Sequence, residues 1–183
     1  MDRKQQVSLD EIIMIINDSL KMFYDKDSIL LEYKTEDEAV AERCMVFRIG
    51  WYLRDRIREL SKFNGTDVDC EYNRNFNHPK SMYIRTLEKI QKKNVIPDLL
   101  VHKRKTNNRN LLVIEFKKGN PPVKQKQDDE MKLAYFTDSN EEYGYDYGLY
   151  IELYKKKAKI KVYQNGEHKS HLDYIFEPVK KLE

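Results

Sequence analysis

Apolar positions recur with helical periods in the first third of the chain and with strand-like alternation after it. Ser8-Leu-Asp-Glu11 has the form of a capping box, and Ile12, Ile13, Ile15, Ile16 and Leu20 follow it, which predicts a short first helix. A longer helix is predicted over about 36–61, where Val46, Ile49, Leu53, Ile57 and Leu60 recur at steps of three and four, the spacing of one buried face. One turn before that stripe stands Glu42. A carboxylate at the head of a core-facing stripe must be paired, protonated or bound to a cation.

Past the turn dipeptide Asn64-Gly65 the pattern changes. A strand is predicted over 67–74, a loop containing Pro79 over 75–82, and a stretch over 83–93 that reads equally as helical or irregular. Two strands follow, 95–102 with Pro97 near its start and 111–117, joined as a hairpin by the polar turn 106–110. A helix over 127–137 places Met131, Ala134 and Tyr135 on one side, and a last hairpin pairs 147–154 with 158–163 across Lys155–Lys157. This order predicts a mixed α/β (α+β) domain, a central mixed sheet flanked by helices.

The chain length, 183 residues, fits one domain with an N-terminal helical segment over about 1–35. Charged residues reach 36%, yet 34 Lys and Arg against 31 Asp and Glu leave a net charge of only +3, so any functional charge must be local. The longest apolar run is the five residues Ile12–Ile16, which predicts no membrane span, and no secretory segment stands at the start; a cytoplasmic protein is expected. Cys44 and Cys70 lack the paired spacing of a zinc site and read as buried free thiols. His168 and His171 have no evident third ligand.

The chemistry concentrates on the hairpin. Alternation along 111–117 puts Leu111, Val113, Glu115 and Lys117 on one side and Leu112, Ile114 and Phe116 on the other. Asp98 begins the preceding apolar run, and antiparallel pairing brings the start of one strand beside the end of the next. Asp98, Glu115 and Lys117 therefore converge. Two converging carboxylates raise one another's proton affinity unless a cation sits between them. Mg²⁺ is the natural choice, since it takes oxygen ligands and substrate phosphate. A lysine beside it can orient or help deprotonate water at the metal and neutralise charge developing on phosphorus, as phosphodiester hydrolysis requires.

Pro97-Asp98, sixteen intervening residues and Glu115-Phe116-Lys117 resemble the PD-(D/E)XK nuclease superfamily, the restriction-endonuclease-like proteins. The flanking segments Glu71-Tyr-Asn-Arg74, Pro97–Arg104 and Asn110–Lys118 look like a group of small bacterial members, and the resemblance covers about 36–154. It implies a Mg²⁺-dependent nuclease, with Mn²⁺ as a substitute, acting on nucleic acid, DNA above all, and often as a homodimer. Asp98, Glu115 and the helix-borne Glu42 would be metal ligands with the Phe116 carbonyl, and Lys117 the catalytic lysine. Gln127, Lys132 and Tyr135 are the candidates for a further contribution from the helix after the motif. Arg74 and the run Lys103, Arg104, Lys105 are candidate phosphate contacts, although such clusters are also ordinary solvated faces. The competing expectation is a nucleic-acid-binding or interaction module of the same fold that does not cut. For Glu42 the competing partner is an arginine, Arg48 or Arg74.

Overall fold

The computed structural model describes residues 7–32, 38–85 and 89–179. The capping box forms: Ser8 Oγ accepts from Glu11 N at 3.3 Å while Glu11 Oε2 accepts from Ser8 N at 2.9 Å. It opens α1 (Leu9–Lys26), which at 18 residues is longer than its periodicity suggested. The second helix, α2 (Glu38–Arg58), ends before the predicted boundary; positions 36 and 37 lie outside the described residues. Its stripe is buried as expected at Val46, Ile49, Leu53 and Ile57. Gly50 lets this helix approach the sheet, since a Cβ there would stand 2.8 Å from Leu99 Cδ1 and 3.0 Å from Cys70 Sγ.

The main sheet is built from β1 (Asp67–Cys70), β6 (Leu99–His102), β7 (Asn110–Lys118), β8 (Tyr147–Tyr154), β9 (Lys157–Gln164) and β10 (Glu167–His168) in that spatial order, with β11 (Tyr174–Phe176) also pairing with β9. All these pairings are antiparallel except β7 with β8, which run parallel because α3 (Val123–Thr137) carries the chain back across the sheet. The described chain is thus a mixed α+β arrangement with helices on both sides of the sheet. Against one face pack α1 and α2, with Ile12, Ile16, Leu20, Ile49 and Leu53 on Leu112, Ile114, Phe116 and Ile151. Leu133 and Phe136 of α3 form the other core with Leu100, Val113 and Tyr150. Among the described residues no helix is long and apolar enough to cross a membrane.

Several boundaries move for identifiable reasons. The strand expected over 67–74 stops at Cys70, because Glu71 takes a left-handed φ of 49°. The loop expected over 75–82 contains a bridge between β2 (Arg74–Asn75) and β3 (His78–Pro79). The stretch read as helical or irregular instead supplies a β-hairpin arm, β4 (Ser81–Arg85) against β5 (Ile90–Asn94), outside the main sheet. All of β5 is exposed, so burial imposes no periodic signal on it. Only 99–102 of the predicted 95–102 strand pairs in the sheet.

Leu111 is the extra residue of a β-bulge, because Val101 faces Leu112 and His102 faces Asn110. It therefore packs in the α1/α2 core rather than with Val113. On α3, Met131 is exposed while Asp129, Leu133, Tyr135 and Phe136 face inward. Cys44 and Cys70 are exposed residues rather than buried ones, although Cys70 Sγ lies 3.9 Å from Val46 O.

Candidate active site

Register places the predicted triad together. Leu99 lies opposite Ile114, so Asp98 stands beside Glu115 at the end of the hairpin remote from its turn. Asp98 Oδ2 accepts from Phe116 N at 2.7 Å, which fixes one oxygen of that carboxylate. Glu115 is fully buried in the middle of the sheet, Oε2 accepting from Lys132 Nζ at 2.7 Å and Oε1 having no hydrogen-bond partner. Lys117 Nζ reaches Glu42 Oε1 at 3.1 Å, Asp129 Oδ2 at 3.2 Å and the Phe116 carbonyl at 2.9 Å. Lys132 Nζ also reaches Asp129 Oδ1 at 2.7 Å.

The site is therefore a ring of Glu42, Asp98, Glu115 and Asp129 around the ammonium groups of Lys117 and Lys132. If every group is ionised, the four carboxylates exceed the two lysines by two negative charges. Burial raises the Asp98 pKa to about 6, against the opposing pull of Lys117. Glu115 is pushed well above the usual carboxylate range, by burial first and by the charge of Asp98 second. Burial alone would lower the pKa of both lysines, but it is outweighed at Lys117 by Asp98, Asp129 and Glu42, and at Lys132 by Glu115 and Asp129. Both are raised and stay cationic.

Whether this set suits a metal can be judged from its donors. All are hard oxygens, and the unpartnered Glu115 Oε1 in a site of excess negative charge is the kind of atom a divalent cation satisfies. Among the described residues, however, no three His, Cys, Asp or Glu side chains converge as a ready metal cage. The lysines lie between the carboxylates, and Lys117 caps the Phe116 carbonyl that the sequence resemblance offers as a ligand. The donor chemistry fits a divalent ion, and occupancy would require the ammonium groups to yield.

Two clefts open on this cluster. One, of about 420 Å³, is lined by Glu42, Arg43, Phe47, Glu71 and Asp98; the other, of about 290 Å³, lies between α3 and the β4–β5 arm and includes Lys117, Asp129 and Lys132.

Lys132 is the member of the three α3 candidates that reaches the site. Gln127 is exposed, and Tyr135 packs with Phe136 and Tyr143 in the core beneath α3. Asp129 has no counterpart in the sequence expectations, although it stands one turn before the buried Leu133 and Phe136, the same pattern that singled out Glu42. Glu42 pairs with Lys117, whereas Arg48 bonds Asp27 at 2.9 Å.

Three of the four candidate phosphate contacts lie away from the carboxylates. Lys103, Arg104 and Lys105 follow the far end of β6, roughly 13 Å or more from Asp98 at the rise of a strand. There Arg104 forks onto Asp69, which His102 also bonds at 3.0 Å. Arg74 is exposed on the β2–β3 bridge. Arg104 thus answers to a local carboxylate, while Arg74, Lys103 and Lys105 are exposed.

No protein-family model matches the chain, and no curated protein does. A solved structure described as "Crystal structure of SSO0001" aligns over 91% of this chain and 67% of its own, at 13% identity and a TM-score of 0.33.

Proposed function

We propose that the chain is a divalent-metal-dependent nuclease of the restriction-endonuclease-like type, hydrolysing phosphodiester bonds in nucleic acid, with DNA the preferred substrate, in the cytoplasm. The observation that carries this reading is the cluster of four carboxylates and two lysines, half-buried at Glu42 and buried at Glu115 and Asp129, gathered from α2, α3 and the end of the β6–β7 hairpin, with Glu115 Oε1 unpartnered.

In this reading Asp98, Glu115 and Glu42 would hold Mg²⁺, or Mn²⁺ in its place. When bound, such an ion polarises a phosphoryl oxygen and lowers the pKa of water. The protein's own groups do the rest. Phe116 N–H orients Asp98, and Lys132 orients Glu115 against Asp129. Lys117, held cationic by its carboxylate neighbours, neutralises charge on the phosphoryl group and is better suited to that than to removing a proton. Duplex cutting would recruit a second copy, so that each strand meets one site.

The test is cleavage of duplex, single-stranded and branched DNA and of RNA, with and without Mg²⁺ or Mn²⁺, beside Asp98→Ala and Lys117→Ala. Metal-dependent cutting by the wild type and loss by at least two orders of magnitude in both variants is the expected result. Equal cutting by all three proteins would assign the activity to a contaminant. One observation favours a second reading, a binding module that keeps the fold: the lysines already pair the carboxylates that a metal would need. Binding without cutting on every substrate would select it.

A further inference from the structure

On the side of α2 turned away from the core lies a ridge that the carboxylate site does not use. Arg43, Phe47, Trp51, Arg54 and Arg58 recur at steps of four, four, three and four, so they share one outward stripe of the helix. Phe47 is 54% exposed and Trp51 46%, with ring centroids 6.2 Å apart. The Arg54 guanidinium sits 5.5 Å from the Trp51 ring. Packing does not account for these aromatics, because Val46, Ile49 and Leu53 supply the buried face of the same helix.

The five stripe residues include no acid, although exposed Asp55 stands one turn after Trp51 and Glu71 lines the cleft beside Phe47. Arg43 meets Glu71 at 2.9 Å with both side chains exposed, while Arg54 and Arg58 make no ion pair among the described residues. Cationic and aromatic side chains interleaved on an exposed face are what binds a polyanion carrying flat bases. The ridge also leads to the site. Phe47 and Arg43 line the same 420 Å³ cleft as Glu42 and Asp98. By helical rise Phe47 lies about 7 Å, and Trp51 about 13 Å, along the axis from Glu42.

A second copy of the chain is a poorer occupant. A two-fold interface places the same patch on both sides, so three arginines of one ridge would face three of the other, with Glu71, already paired to Arg43, and Asp55 as the acids at the patch. Bases within an intact duplex are already stacked and cannot lie on the rings.

We propose that Phe47 and Trp51, flanked by Arg43, Arg54 and Arg58, form a stacking platform for unpaired bases beside the carboxylate site, directing it to single-stranded or flapped polynucleotides rather than intact duplex. This rests on the nuclease reading and narrows its substrate class.

Trp51 is the single tryptophan of the chain, so intrinsic fluorescence reports on the platform itself. The full chain is titrated in EDTA with a dT oligonucleotide of about 16 nucleotides, following anisotropy of the labelled DNA and emission of Trp51. A blunt duplex of equal length serves as comparison. The expected result is that single strands quench Trp51 and bind more tightly than duplex, and that Phe47→Ala and Trp51→Ala each weaken binding about tenfold. Single-strand binding with unchanged Trp51 emission and unchanged affinity in both variants would overturn the platform and leave the nuclease reading standing. Binding of no nucleic acid, together with no cleavage, would overturn both. A Trp51 blue shift that tracks protein concentration, matched by dimers in sedimentation and indifferent to DNA, would overturn the platform in favour of self-association.

Discussion

Replacing Lys132 with methionine keeps most of the side-chain volume and removes one ammonium from the carboxylate ring. Lys132 Nζ lies 2.7 Å from both Glu115 Oε2 and Asp129 Oδ1; Glu115 is wholly buried and Asp129 only 6% exposed. Below the raised Glu115 pKa that carboxyl takes up a proton and the cost of losing Lys132 is smaller. At a pH above it, removing one partner from such a buried arrangement strands the other charge, at a cost of about 3–5 kcal/mol. For a domain of this size that corresponds to a fall in Tm of roughly 6–20 °C. The assay is urea or thermal unfolding of the metal-free protein, with Glu115→Gln and the double variant completing a cycle. Because a neutral amide in place of the Glu115 carboxylate needs no counter-charge, and Asp129 keeps Lys117, the double variant should be less destabilised than Lys132→Met alone by about 1–3 kcal/mol. Adding Mn²⁺ to both proteins at one concentration, about 100 times the wild-type Kd and so worth about 2.7 kcal/mol there, should add more stability to Lys132→Met, which binds the ion more tightly because a cation then takes over the pairing. Additive effects of the two substitutions, or a Lys132→Met protein within about 0.5 kcal/mol of wild type, would refute the pairing.

Other consequences follow from groups away from the site. Lys80 is 2% exposed among Tyr72, Phe136, Tyr143 and Tyr145, and burial, opposed by Glu142, lowers its pKa from 10.5 to about 8. Since the folded state binds this proton less well than the unfolded chain, its contribution should make wild-type stability rise between pH 8 and pH 10.5 relative to Lys80→Met, by at most about 3 kcal/mol, read as the difference between their urea unfolding curves; no divergence would refute it. Asp69 is held below the usual carboxylate range because Arg104 and His102 outweigh its burial, so Asp69→Asn should lose about 1–2 kcal/mol at pH 7 in chemical unfolding, and the deficit should close as pH falls through and below about 4. Ser8→Ala removes the oxygen that caps α1 and should cost about 1 kcal/mol, or about 2–4 °C in Tm, measured by circular dichroism.

What the sequence made legible follows from where burial imposes a period. Asp98, Glu115 and Lys117 could be brought together on paper because β6 and β7 are buried strands joined by a polar turn, and their register follows from that pattern. Glu42 stood out as an acid heading an apolar stripe, and it does meet Lys117. Asp129 heads a stripe of the same kind before Leu133 and Phe136, but an inward face that mixes Asp129 and Lys132 with apolar residues blurs the helical period of α3. The β4–β5 arm lacked a signal because β5 is exposed throughout. Arg104 was assigned by charge alone, and charge does not reveal that Asp69 lies across the neighbouring strand to claim it.

Uptake of a divalent cation by the carboxylate ring is the central claim. Electron paramagnetic resonance of Mn²⁺ measures that directly, because the six-line signal of the free aqueous ion falls as it binds. Wild-type protein should remove one Mn²⁺ per chain from the free pool, Mg²⁺ should return it, and Asp98→Asn combined with Glu115→Gln should leave the free signal untouched. A free signal unchanged by wild-type protein, or equal uptake by the double variant, would contradict that claim.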